Sequence, residues 1–224
     1  MCKTEYREKL ARFAANNNLR GAEFFAGIPG TVGGMLRMNA GCYGAETWIV
    51  VESVQTVDRK GVLHERRPAE YEIGYRHLLR IDKGGDAGSL DEIFVGAWIR
   101  LAQGKGEESR KEIKALLSKR ISAQPLNLPN AGSVFRNPAS DHAARLIELC
   151  GLKGKKFGGA QVSEKHANFI VNIDHATAAD IENLIDEVLE IVKEKTGITL
   201  HPEVRIVGEP ITGLNELTER NTAR

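Results

Sequence analysis

The stretch from residue 21 to residue 44 constrains this chain more than any other. Gly21, Gly27, Gly30, Gly33, Gly34, Gly41 and Gly44 all fall within it, together with Pro29. Glycine reaches positive φ freely and lets a ligand or another backbone come close, but it weakens helices and strands. The segment is therefore expected to be an irregular loop built for close approach. Backbone N–H groups in such a loop can hold phosphate oxygens or lie against a flat ring. Two common glycine loops are excluded. No Gly-Lys-Ser/Thr follows, and both the Gly-x-Gly-x-x-Gly spacing and a preceding strand are missing. On composition alone, a ligand cradle and a structural crossover are equally good readings.

The rest of the chain is punctuated more regularly. Leu10, Phe13 and Ala14 give residues 5–17 a helical spacing, which Asn16-Asn17-Asn18 breaks. Residues 47–57 read as a strand rich in β-branched residues, turning at Arg59-Lys60-Gly61 into a return strand from Val62, and residues 92–101 read as a further strand. Ser109 with Glu112 fits a capping box for a helix with Ile113, Leu116 and Leu117 on its apolar face, which must end before Pro125. Residues 124–138 read as an ordered loop. Ser140 is placed to cap a short helix stopped by Gly151. Strands near 159–163 and 168–173 follow, then a helix opened by Thr177 and Asp180. Ile181, Leu184, Ile185, Val188 and Val192 form its stripe, and Gly197 ends it. Residues 203–207 read as a last strand, and the polar tail from Gly208 is expected to fray. This order predicts an α+β fold in two lobes, with the joint between Gln103 and Gln124.

Composition removes several function classes. Lys+Arg (31) nearly balances Asp+Glu (30), so no bulk field gathers nucleic acid. No run approaches the ~20 apolar residues that span a bilayer, and no signal peptide is legible at the N-terminus. Cys2, Cys42 and Cys150 are too scattered for a disulfide framework or a zinc site. A cytoplasmic protein with no metal is expected.

Four further positions carry chemistry, each with a plainer reading beside it. Ser133 lies between Gly132 and the strand-like Val134-Phe135, outside any Gly-x-Ser-x-Gly elbow; an isolated loop serine is more often a turn residue. Glu203 follows Pro202, and alone reads as a solvated carboxylate. Tyr75-Arg76 offers a fork suited to carboxylate or phosphate, or to a surface ion pair. The histidines show no metal spacing, so His166 reads as structural or as a polar contact.

Together and in order, these words resemble the UDP-N-acetylenolpyruvoylglucosamine reductase family. The matching words are Glu23 to Gly34, Asn39-Ala40-Gly41, Gly74-Tyr75-Arg76 and Ala131 to Pro138. They continue with Gly159 to Ser163, His166 to Asn172, and Pro202-Glu203-Val204-Arg205. The resemblance runs from about Leu10 to Val207. It implies FAD, reduced by NADPH, and reduction of UDP-N-acetylglucosamine enolpyruvate to UDP-N-acetylmuramate for peptidoglycan. Hydride addition leaves a strongly basic carbanion or enolate, which even a poor acid can protonate if positioned. Ser133 matches the family's proton donor. Arg76 matches the arginine that holds the substrate carboxylate, and Glu203 the glutamate of the same site. Ile28, Pro29, Gly30, Thr31, Gly33, Gly34, Asn39 and Ala40 match the part that wraps the flavin. Tyr75, Asn137 and His166 fall at substrate positions. The implied fold is part of a flavin-binding domain of the vanillyl-alcohol-oxidase type over 1–104, then an αββαβ-like substrate domain over 105–224.

Three departures qualify the match. The family's longer type has a Tyr-bearing insertion before the Ser133 loop, and here only a short connection links Leu101 to Gln124, so the shorter subtype is indicated. Arg136 stands where many members have lysine. No Gly-Gly-Gly-Ser-Asn-like loop precedes Glu23, so the expectation is a fragment or truncated gene product lacking an N-terminal flavin subdomain. A non-catalytic lobe that binds only the UDP-sugar is the alternative.

Overall fold

The computed structural model describes residues 7–81, 87–88 and 91–208. The expected fraying beyond Gly208 and Cys2 lie outside them. The chain divides into two compact units, Met1–Arg120 and Ile121–Arg224. The division falls within the expected joint, but 105–120 sits with the first unit and not with the second lobe.

In the first unit, helix α1 (Arg7–Asn16) packs through Ala11, Ala14 and Ala15 against Phe24, Phe25 and Met35. Phe13, expected on that face, is 62% exposed. The alanines allow a close helix approach that a phenylalanine would prevent. The glycine-rich segment is more ordered than its composition suggests. Glu23–Gly27 is a 3-10 turn, Val32–Arg37 forms a short helix α2, and Gly41–Cys42 pairs with Ala45–Glu46. The irregular-loop reading is corrected here: Thr31 caps α2, its Oγ1 accepting from the Gly34 N–H at 3.2 Å. A side chain at Gly41 would lie 2.2 Å from the Ala45 carbonyl, so that hairpin needs glycine.

Strand β1 (Val51–Val57) lies between β2 (Leu63–Arg66) and β5 (Ile93–Ile99), all antiparallel. β1 starts later than the expected 47, because Thr47–Val50 winds into a 3-10 turn that buries Trp48. The Asp58 carboxylate accepts from the N–H groups of Lys60 and Val62 and so shapes the β1–β2 turn. A second sheet, unanticipated from sequence, is built on the hairpin β3 (Tyr71–Gly74) and β4 (His77–Ile81). Trp48, Val54, Tyr71, Leu78 and Phe94 form the core shared by these strands. Helix α3 (Gly106–Ala123) begins three residues before the expected cap. Ser109 is buried within it and donates to Glu23 Oε1 at 2.5 Å, while Asn18 Oδ1 accepts from the Gly106 N–H. Long-range partners thus replace the local capping box. The helix stops before Pro125, as steric exclusion requires.

In the second unit, β6 (Asn130–Ser133), β10 (Phe169–Asn172), β9 (Ala160–Val162) and β8 (Lys156–Phe157) form one antiparallel sheet in that order. β7 (Phe135–Arg136) pairs instead with β11 (His201–Pro202). So 124–138 is strand-bearing and not simply a loop. Helices α4 (Ala143–Leu149) and α5 (Ala178–Thr196) cover the sheet, burying Leu146, Ile147, Leu184, Ile185, Val188 and Val192 against Val134, Phe135 and Val162. Thr177 and Asp180 form the expected capping box, and Gly197 ends α5. Ser140 does not cap α4; Asn137 Oδ1 accepts from the Ala143 N–H at 3.0 Å. The expected strand 203–207 is absent, since the Glu203 and Val204 N–H groups both turn to one carbonyl, that of Val134. Antiparallel sheets with helices beside them place the chain in the α+β class.

Candidate functional site

Each unit gathers its own share of the candidate residues. In the first, Ile28 is buried in the core, whereas Pro29 and Gly30 are exposed, and Gly30 has φ 123°. Thr31, Gly33 and Gly34 follow at the start of α2, partly or fully accessible. A Cβ at Gly33 would meet Phe94 O at 3.7 Å, and one at Gly34 would meet Thr31 Oγ1 at 3.5 Å, both ordinary contacts. Neither glycine has positive φ. The fold accepts alanine at both positions and forgoes about 1 kcal/mol of helix propensity at each. What the missing side chains leave is open backbone on an accessible face, suited to a flat ligand.

Asn39 is fully buried, with a left-handed φ of 40°. Its Nδ2 donates to Glu46 Oε2 (2.8 Å) and to Gly74 O (2.9 Å), and its Oδ1 accepts from the Trp48 N–H (3.2 Å). The Ala40 carbonyl accepts from Thr47 N and Oγ1. These two residues hold the segment together by internal bonds. The Gly74 bond joins the glycine-rich segment to the Tyr75-Arg76 turn. Tyr75 and Arg76 are the two-residue loop of the β3–β4 hairpin, and Arg76 has φ 53° where glycine or asparagine is preferred. A bulky residue held left-handed stores strain of the kind found at binding sites. The guanidinium lies 5.1 Å from the Tyr75 ring centroid and 3.4 Å from Gly41 O.

In the second unit, Ser133 ends β6 after an irregular register that shifts between Asn130 and Ser133. Bulges of this kind re-aim a side chain. Ser133 is half-buried, and no hydrogen bond to its hydroxyl occurs among the described residues. The next residue, Val134, accepts the Glu203 N–H at 2.7 Å. The residue after Ser133 is thereby tied to Glu203 across two short elements. Asn137, spent on α4 through Oδ1, keeps its amide N–H groups. The His166 Nδ1 accepts from the Asn168 N–H at 3.2 Å, which leaves the proton on Nε2. Burial holds its pKa below the usual histidine value, and its ring meets Phe169 edge-on.

Two residues escaped the sequence reading. Asn168 bonds both main-chain groups of Phe135, and Glu92 sits buried between Arg66 and Arg80. Neither stands at a spacing that singles it out. Among the described residues no group of three His, Cys, Asp or Glu could hold a metal, and no helix is long and apolar enough to cross a membrane.

The chain is similar to known proteins over most of its length. Residues 124–207 match the family model for the UDP-N-acetylenolpyruvoylglucosamine reductase C-terminal domain. The chain is 58% identical to the UDP-N-acetylenolpyruvoylglucosamine reductase of Nitrosospira multiformis, covering 90% of this chain and 62% of that one. It is 59% identical to that of Thiobacillus denitrificans, covering 90% and 60%. The crystal structure of UDP-N-acetylenolpyruvylglucosamine reductase (MurB) from Thermus caldophilus superposes with a TM-score of 0.74 at 32% identity, covering 90% of this chain and 70% of that one. An α+β chain of this topology thus shares the fold of these reductases. It belongs to the UDP-N-acetylenolpyruvoylglucosamine reductase family. It spans about 60% of the length of the curated relatives it matches.

Proposed function

We propose that the chain acts in the cytoplasm as a reductase that uses FAD and NADPH to convert UDP-N-acetylglucosamine enolpyruvate to UDP-N-acetylmuramate for peptidoglycan. The observation that carries this reading is the 2.7 Å bond from the Glu203 N–H to the carbonyl of Val134, the residue that follows Ser133. In this reading the unit Met1–Arg120 carries the flavin residues with Tyr75 and Arg76, and Ile121–Arg224 carries Ser133, Asn137, His166 and Glu203.

FAD, when bound, supplies the hydride. The open backbone of Gly30, Gly33 and Gly34, with Pro29 and Thr31, is where the chain would receive its ring. Ile28, Asn39 and Ala40 support that surface from within. The chain's own residues then manage charge and proton. Arg76 pairs with the substrate carboxylate and spreads the charge that develops beside it. Ser133 Oγ–H donates the proton to the carbon bearing that carboxylate and regains one from solvent. Glu203 completes the polar surround of Ser133. Tyr75, the amide of Asn137 and the Nε2–H of neutral His166 hold the rest of the substrate, the last two as donors to its diphosphate.

The test is an absorbance scan of the purified chain with added FAD, followed by NADPH and substrate. Flavin bands perturbed by binding, then substrate-dependent oxidation of NADPH, are expected. Ser133→Ala should leave flavin reduction intact and slow substrate reduction by about 10²–10⁴-fold. Equal substrate rates in both proteins would sink the assignment. A second reading, a UDP-sugar-binding lobe without catalysis, draws on the fact that Ser133, Asn137, His166 and Glu203 all belong to one unit. A folded chain that binds UDP-sugar but no flavin would favour it.

A further inference from the structure

The β6–β10 ladder stops at the Ser133↔Phe169 pair, and the chain then crosses to pair with β11 on its other side. Phe135 lies opposite Pro202, which has no N–H to give. Its own main-chain groups are supplied by a side chain. Asn168 Oδ1 accepts the Phe135 N–H at 2.9 Å, and Asn168 Nδ2 donates to the Phe135 carbonyl at 2.8 Å. The Asn168 carbonyl accepts the Val134 N–H at 3.0 Å. One asparagine, 4% exposed, thus stands in for a strand at the point where the ladder ends. The carbonyl that receives Glu203 belongs to Val134, held between these bonds. Asn168 is itself oriented, its N–H donating to His166 Nδ1.

We infer that Asn168 is a positioning residue for the proposed reaction, its two amide bonds to Phe135 setting the placement of Ser133 relative to Glu203. The inference rests on the function proposed above. The amide is suited to this task because it offers donor and acceptor in the geometry of a peptide group. A carboxylate can only accept, and a shorter hydroxyl cannot span both groups.

The test compares the full chain with Asn168→Asp, which keeps the acceptor for the Phe135 N–H and turns the donor into an oxygen facing the Phe135 carbonyl. Substrate reduction is expected to fall about 10–100-fold, since small misplacements of reacting groups have that effect, with flavin reduction by NADPH unchanged. In a Ser133→Ala background the same change should cost less than about threefold, because a residue acting through Ser133 has nothing left to position. Amide exchange at Glu203 should accelerate about tenfold or more, while α5 amides hold their protection. Should the aspartate variant not fold, Asn168→Ser removes the second bond without adding charge and carries the same measurements. Equal losses with and without Ser133, or unchanged exchange at Glu203, would overturn the inference. If the parent chain turns nothing over, the functional reading fails, and exchange at Glu203 alone decides whether Asn168 sets the placement.

Discussion

Replacing Glu92 by glutamine should destabilise the unit Met1–Arg120 by about 3 kcal/mol at neutral pH. The Glu92 side chain is 4% exposed and takes a 2.6 Å contact from each of Arg66 and Arg80. Thr56 Oγ1 donates to its other oxygen. The Arg66 hydrogen bond, with help from Thr56 and Arg80, overrides burial and pulls the carboxyl down to about 2. An unfolded glutamate titrates near 4.3, so the difference is worth about 3 kcal/mol at 1.36 kcal/mol per unit. The arginines are 20% and 30% exposed, and solvent screening brings the figure toward about 2. Glutamine also leaves two guanidinium groups facing each other with their counter-charge gone, which restores the higher value. The readout is intrinsic to the chain, because both tryptophans, Trp48 and Trp98, lie in this unit, and Trp48 packs against Tyr71 and Phe94. Urea unfolding followed by tryptophan emission therefore reports this unit alone. The folded-state pKa is depressed, so the stabilisation is complete above about pH 5 and is lost as pH falls through 4 toward 2. Asp58, held low first by its His64 hydrogen bond, titrates in the same window but equally in both proteins. The gap between parent and Glu92→Gln should close on acidification. A gap below about 0.5 kcal/mol at pH 7, or one that does not narrow by pH 3, would refute the reasoning.

Gly34→Ala should raise thermal stability by about 0.5–1 kcal/mol through helix propensity and weaken FAD binding, read by calorimetric melting and flavin titration. A destabilised or unaltered binder would count against the cradle. Arg76→Gly should leave stability within about 1 kcal/mol, relief of the left-handed strain offsetting glycine's extra unfolded-state freedom, while substrate reduction collapses. Loss of folding would show that Arg76 is structural. Asn137→Ala should cost about 1 kcal/mol by uncapping α4, seen by circular dichroism, and should also weaken binding of the UDP-sugar. Asn137→Ser should restore the cap more than the binding.

Local signals carried some elements and misled at others. Thr177, Asp180 and Gly197 mark the ends of α5, and its apolar stripe marks the buried face, because capping and periodicity are contained within the segment itself. The same logic failed at Ser109, Ser140 and Phe13. There the deciding partners were Glu23, Asn137 and a row of alanines packed against residues beyond the helix. Strand 203–207 failed for a related reason. β propensity does not reveal that two successive N–H groups share the Val134 carbonyl.

The sequence by itself determined the α+β class, the family, and the chemical types at Ser133, Glu203, Arg76 and the glycine-rich segment, since residue identity and order are enough for those. Tertiary structure alone decided that the Glu203 N–H bonds the carbonyl of the residue after Ser133 and that Asn168 replaces a strand. It also decided that Asn39 ties the glycine segment to the Arg76 turn, and that Glu92 is buried between two arginines. Each depends on hydrogen bonds between residues distant in the chain, seven to thirty-five positions for Asn39 and thirty-three for Asn168. Such bonds depend on which elements the packing brings together, and no local pattern in the chain encodes those pairs.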